Sequence, residues 1–250
     1  MVASPGKNSI LSNHYKKPLD NNPEQERFFG RRKGRPLNKQ RREALNLLDQ
    51  YGIKDNHIQQ DASLHPNGLF NQDYTTFHLE IGFGNGEYLQ NMLKHHPEAG
   101  FIGAEPFLNG VAALLKDIQD TKPDNLRVWP DDVRPLLRSF KDQCFESVYI
   151  LNPDPWPKKK HHKRRIVNPT TLDEIARLLK TDGQLIMTTD VDDLAEWMAT
   201  QTVNHPAFHW DIVSPCDTTK KPVNWLSTRY ELKGAEEGRT QYYLKAIKRA

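Results

Sequence analysis

From residue 77 onward, short apolar runs alternate with stretches whose apolar residues recur at helical spacing. The runs span 77–81, 101–105, 126–129, 147–151, 184–188, 208–212 and 241–247. Between the first five stand three sets of residues: Tyr88, Leu89, Met92 and Leu93; Val111, Leu114, Leu115 and Ile118; and Ile175, Leu178 and Leu179. A period of about 3.6 places each set on one helical face. This order of strand and helix buries both faces of a mostly parallel sheet, so the expected fold is α/β: a Rossmann-like, seven-stranded sheet with helices on both faces. Ligands of such sheets bind beyond the carboxyl ends of the strands, so the residues following each strand are the candidates for chemistry.

Ahead of this domain (73–250), residues 1–30 carry Pro5, Pro18 and Pro23 among Asn, Lys and Ser and read as a flexible lead-in. Residues 31–72 open as a basic arm, RRKGRPLNKQRR. The arm enters a short helix on which Leu45 and Leu48 share a face, with Gly52 as its stop. The net charge of +3 conceals an asymmetry. Segment 27–42 holds eight Lys/Arg and 158–165 holds six, neither with an acid, while outside them 21 cations face 32 acids. A basic grip on an acidic body is the footprint of a polyanion binder; the plainer reading of either run by itself is a solvated charged face.

Mean hydropathy is −0.78, and no stretch approaches the roughly 20 apolar residues of a membrane span. The first residues lack the apolar core of a secretion signal, so the expectation is a cytoplasmic protein with no membrane partner. Cys144 and Cys216 lie far apart without further thiols at ligand spacing, which suggests neither a disulfide framework nor a zinc site.

The first run ends in Leu79-Glu80-Ile81-Gly82-Phe83-Gly84-Asn85-Gly86, a glycine turn that lets backbone approach a ligand closely. Its third glycine comes one residue too early for the dinucleotide pattern, and Glu87 occupies that place, where a carboxylate would repel a pyrophosphate. A glycine turn preceded by Glu80 suits a nucleoside bearing a sulfonium and an ammonium. Glu105 closes the second run, the position from which an acid accepts from both ribose hydroxyls. Asp131 and Asp132 follow the third run, where a carboxylate reaches an adenine amino group; the competing role for either is a helix N-cap.

After the fourth run comes LNPDPWPKKKHHKRR (151–165), whose three prolines forbid strand or helix interior. It is a stiff loop at the ligand edge that supplies an acid, Asp154, an aromatic, Trp156, and a basic tail for phosphates. His161 and His162 are adjacent and flanked by cations, so a metal is not expected there.

With LEIGFGNGEYL, FIGAEPF, TTDVDDLAEWM and STRYELKG, this segment resembles the bacterial tRNA (guanine-N7)-methyltransferase family over residues 75 to 245. The resemblance implies S-adenosyl-L-methionine as donor and the variable-loop guanine of tRNA as acceptor. It places Glu80, Gly82, Gly84, Gly86, Glu105, Asp132 and Asp154 in the cofactor site, with Asp154 also catalytic. It places Lys158, Asp190, Thr228, Arg229, Tyr230 and Glu231 against the substrate, while the basic character of the tail itself puts Lys160, His161, His162, Lys163, Arg164 and Arg165 against RNA. Ala104-Glu105-Pro106-Phe107 departs from the family pattern, and Pro106 must either begin the next helix or delay it.

Two readings compete. An RNA-binding protein that keeps the fold only as scaffold would not need the intact glycines and acids. A methyltransferase for amides or amines would carry Asn/Asp-Pro-Pro-aromatic, which Asn152-Pro153-Asp154-Pro155-Trp156 does not match. The sequence does not distinguish a monomer from a homodimer.

Overall fold

A computed structural model of the protein describes residues 28–59, 61–211, 215–223 and 225–250. The lead-in up to residue 27, Arg27 of the first basic run, Ile212 at the end of the sixth run and the side chain of Cys216 lie outside the described residues.

Seven strands form one sheet: β1 (Phe77–Ile81), β2 (Gly100–Ala104), β3 (Leu126–Trp129), β4 (Phe145–Leu151), β5 (Leu179–Thr189), β6 (Phe208–Trp210) and β7 (Tyr242–Lys248). Their order is β3-β2-β1-β4-β5-β7-β6. The first five pair in parallel and β7 inserts antiparallel between β5 and β6. Leu79, Ile102, Val128, Val148, Ile150, Leu185 and Met187 are fully buried along the sheet. Burial of both faces explains why the parallel strands read as continuous apolar runs rather than as alternations.

The helices are α1 (Lys39–Ala44), α2 (Leu48–Tyr51), α3 (Glu87–His95), α4 (Leu108–Asp117), α5 (Val133–Ser139), α6 (Pro169–Leu178), α7 (Asp192–Val203) and α8 (Arg229–Glu236). Four of them open on a side chain that accepts a backbone amide of the first turn. Asn38 caps α1, Asp132 α5, Asn168 α6 with Pro169 behind it, and Thr228 α8. Pro106 delays its helix, which opens at Leu108. Leu179, placed in a helix by its spacing, instead opens β5 opposite Phe145. An irregularity follows before Gln184 resumes the pairing, with Asp182 at φ 63°. α1 and α2 flank a 3-10 turn (Leu45–Leu47), and Ala44, Leu45, Leu48 and Tyr51 share a core with α4. Ile53 donates to the Val128 carbonyl at 2.8 Å, so the arm also extends the β3 edge by one bridge. No described helix is long and apolar enough to cross a membrane.

Candidate active site

The carboxyl ends of β1, β2 and β4 converge on a glycine cradle. Gly82, Gly84 and Gly86 hold φ of 76°, 55° and 77°, the left-handed region that a side chain disfavours. Their surroundings differ. A β-carbon on Gly86 would stand 2.6 Å from Leu114 Cδ1, whereas on Gly82 or Gly84 it would project into open space. Gly86 is therefore a packing requirement, and the other two keep a surface clear.

Two buried acids border that surface. Glu105, just beyond β2, accepts from the Gly84 amide at 2.8 Å and from the Phe107 amide at 2.7 Å. Burial pushes its pKa up to about 6, against the pull of those two amides, and the nearby Asp154 carboxylate raises it further. Glu80, in β1, is only 4% exposed, and its Oε2 has no hydrogen-bond partner among the described residues. Burial and the Glu105 charge push Glu80 up to about 8. An orphaned buried carboxyl oxygen beside an open glycine surface fits a ligand that brings a cation and hydroxyl donors.

Asp131 and Asp132 both have protein partners. Asp131 accepts from the Asp132 amide at 2.6 Å and pairs with Arg32 of the arm. Asp132 caps α5 through the Arg134 amide and accepts the Arg134 guanidinium in a bidentate pair, Nε to Oδ1 at 3.0 Å and Nη2 to Oδ2 at 2.5 Å. The capping role is thus present in the fold, and the Arg32 contact is one that charge counting alone did not reveal.

The loop after β4 begins at Asn152, whose amide donates to the Thr188 carbonyl and whose side chain accepts from Gln241 at 2.9 Å. Asp154 is exposed at the rim, near enough to Glu105 to act on its charge. Trp156, between two prolines, stands at φ 43°. The basic tail forms a 3-10 helix (Lys159–Arg164) with Lys158, Lys159, Lys160 and Lys163 outward and exposed. His161 meets Trp156 edge to face at 6.0 Å. Arg164 lies over the Trp156 ring at 4.9 Å and over Phe29, just ahead of the arm, at 4.5 Å. Arg165, expected against RNA, has a side chain that is only 1% exposed. His162 is half-buried against Trp197.

Of the expected substrate residues, Lys158 stands in the basic tail, while Asp190, Thr228, Arg229, Tyr230 and Glu231 lie in or against the start of α8. Asp190, 4% exposed, pairs with Arg239 and accepts from the Tyr230 hydroxyl at 3.1 Å. Thr228 caps α8, accepting from the Glu231 amide at 3.2 Å. Thr228 and Glu231 stand at capping-box spacing, a signal of helix rather than strand. Glu231 is 5% exposed, accepts from Trp225 Nε1 at 3.0 Å, and has a pKa raised by burial. Arg229 donates its amide to Glu87 at 2.6 Å and its guanidinium to the same carboxylate at 3.1 Å. Glu87, the residue that disfavours a pyrophosphate, is therefore the anchor for α8. Trp225 lies 4.8 Å from the Tyr88 ring, closing the cradle's inner wall. Trp225 and Arg239 were absent from the sequence expectations, and Glu87 figured there only as a bar to a pyrophosphate. A capping-box reading of Thr228 and Glu231 would have drawn attention to α8, while Arg239 carried no local signal. Among the described residues no group of three or more His, Cys, Asp or Glu side chains could hold a metal ion.

A parallel sheet interrupted by a single antiparallel strand, β7, next to its β6 edge, a glycine cradle after β1 and an acid after β2 define a methyltransferase of the Rossmann-like class. The solved 16S rRNA methyltransferase KamB superposes with a TM-score of 0.52, covering 79% of this chain and 95% of that one at 12% identity. Residues 74–244 match the family model described as "Putative methyltransferase". The tRNA (guanine-N(7)-)-methyltransferase of Rhodospirillum rubrum is 40% identical over 88% of this chain and 87% of its own length. That of Chelativorans sp. is 40% identical over 89% and 95%, and that of Agrobacterium fabrum 39% identical over 90% and 96%. The chain belongs to the tRNA (guanine-N7)-methyltransferase family.

Proposed function

We propose that this protein methylates N7 of the variable-loop guanine of tRNA, with S-adenosyl-L-methionine as donor, at a centre bounded by Glu80, Glu105 and Asp154. One observation carries the reading: Gly82 and Gly84 leave open space at the end of β1, and the buried Glu80 beside them keeps a carboxyl oxygen without a hydrogen-bond partner among the described residues, which suits a cationic nucleoside donor.

When bound, the donor supplies an electrophilic methyl on a sulfonium. Guanine N7 has an in-plane lone pair, so no proton need be removed and no general base is required. What the protein must supply is alignment, which in favourable intramolecular models is worth about 7–11 kcal/mol. Glu105 retains lone pairs for ribose hydroxyls after accepting two amides, and Gly82 and Gly84 leave room for the nucleoside. Glu80, once ionised, neutralises the donor's positive end. Asp132 is assigned to the adenine edge, sharing its carboxylate with Arg134. Asp154 accepts from guanine N1–H and the amino group while its charge offsets the positive charge arriving on the base. Lys158, Asp190, Thr228, Arg229, Tyr230 and Glu231 line the acceptor side, and Lys160, His161, His162, Lys163 and Arg164 face the RNA. The partner is tRNA and the compartment the cytoplasm.

Single-turnover transfer of labelled methyl to bulk tRNA, followed by aniline cleavage at methylated guanosine, tests this. Asp154→Asn, at saturating enzyme and cofactor, should lower the rate about tenfold to a hundredfold, roughly 1.4–2.8 kcal/mol. A near-parental rate would move the catalytic centre elsewhere. Absence of transfer by the parent would favour the non-catalytic scaffold.

A further inference from the structure

The segment that carries Asp154 is bent at a costly point. Trp156 adopts a left-handed φ of 43°, which a non-glycine residue keeps only when its surroundings over-determine it. Prolines on either side fix their own φ but not that of Trp156. The needed constraint comes from the end of the basic tail.

Arg165 folds back beneath the loop. Its Nε donates to the Pro155 carbonyl at 2.9 Å, one residue from Asp154 and one from Trp156. Its Nη2 donates to Asp193, in the first turn of α7, and its guanidinium lies 5.1 Å from the Trp197 ring centre. The supports are themselves held: Trp197 Nε1 donates to the Val167 carbonyl at 2.7 Å, and Asn168 donates to the Arg165 carbonyl at 2.9 Å while capping α6. The span from residue 155 to 165 is thus closed at its base by one buried cation, with the lysines displayed on its outer side.

We propose that Arg165, oriented by Asp193 and Trp197, is a positioning residue that fixes the Asp154–Trp156 turn in the shape required for methyl transfer. This inference rests on the reading of Asp154 as the catalytic acid. The guanidinium fork is what qualifies Arg165: it donates in two directions while its Cζ stands 5.1 Å from the centre of an indole, and an ammonium of equal charge does not reproduce that geometry. Arg165 therefore differs in role from Lys160 and Lys163, although all stand in the same basic run.

Arg165→Lys separates the roles because it keeps the charge. Single-turnover methylation of tRNA at saturating enzyme and cofactor should fall at least about tenfold, with cofactor and tRNA dissociation constants within about twofold of the parent. The salt dependence of tRNA binding should keep its slope, whereas Lys163→Ala should flatten it. A parental rate for Arg165→Lys, or an Arg165→Ala slope flattened like that of Lys163→Ala, would overturn the proposal. Asp193→Asn alters a carboxylate that is 62% exposed and so spares the fold. It should lower the same rate several-fold, and a parental rate would count against the proposal even if Arg165→Lys failed to fold. Asp154→Asn is run alongside. If it retains the parental rate, the reading of the centre fails; if it alone is crippled, only the role of Arg165 fails.

Discussion

Glu105 Oε2 accepts the Gly84 amide at 2.8 Å, so the acid after β2 fixes the shape of the turn after β1. The glycine turn and Glu105 are thus mechanically one unit. Glu105→Ala should weaken cofactor binding and loosen the turn together, each charge-assisted bond being worth about 1.5–3 kcal/mol. Calorimetric titration of the cofactor checks the first effect and amide hydrogen exchange at Gly84 the second. Unchanged affinity would remove Glu105 from the ribose.

With Glu80 at the cofactor's cationic end, as proposed, its pKa, raised by burial to about 8, would couple cofactor binding to protons. Below pH 8 the free protein carries Glu80 neutral; a bound cation favours the charged form and draws that pKa down, so binding releases a proton. Affinity should rise with pH up to about 8 and then level off. Calorimetry at pH 7 in buffers of different ionisation enthalpy should detect the release, and Glu80→Gln should abolish it. For folding the sign is opposite to that of a salt-bridged acid. The folded-state pKa lies above the ordinary 4.5, so Glu80's contribution is complete at low pH and is lost as pH rises towards 8.

Gly84 and Gly86 share a backbone conformation but differ in what faces them, and their alanine variants should separate. Gly86→Ala meets Leu114 at 2.6 Å and should lower the unfolding midpoint. Left-handed strain adds about 1–2 kcal/mol. Gly84→Ala carries the strain without the clash and puts a methyl on the open surface, so its larger effect should be on cofactor affinity. Thermal unfolding and calorimetry on both variants check this; equal losses of stability would refute the distinction.

Replacing Lys159, Lys160 and Lys163 by Ala removes three exposed charges from the outer side of the loop. tRNA binding should weaken, and its salt slope should decrease by up to about 0.9 for each phosphate no longer neutralised. Cofactor affinity should not change. Filter binding across a salt series decides, and a parental slope would return the run to ordinary solvated surface.

The sheet and the cradle were legible because both are written in local patterns. Apolar runs mark buried parallel strands, and three glycines within five residues mark a turn that side chains would obstruct. What stayed hidden depends on contacts across long sequence separations. Arg165 and Lys163 are alike in a string of cations, and only the approach of α7, 28 residues on, buries one of them. Asp131 gains Arg32 from 99 residues away. Leu179 looked helical because its spacing continued that of α6, and pairing with Phe145 overrode the period.

The insertion of β7 between β5 and β6 sets an order of events during synthesis. β6 pairs only with β7 among the described strands, and β7 is the last of the seven to leave the ribosome. Until it does, β5 presents an open edge on an otherwise complete parallel sheet, and Phe208 has no strand beside it. An unpaired edge of this kind is a template for association with other chains. Stalled or truncated translation products that lack residues 242–248 should therefore aggregate although they carry all of Glu80, Glu105 and Asp154.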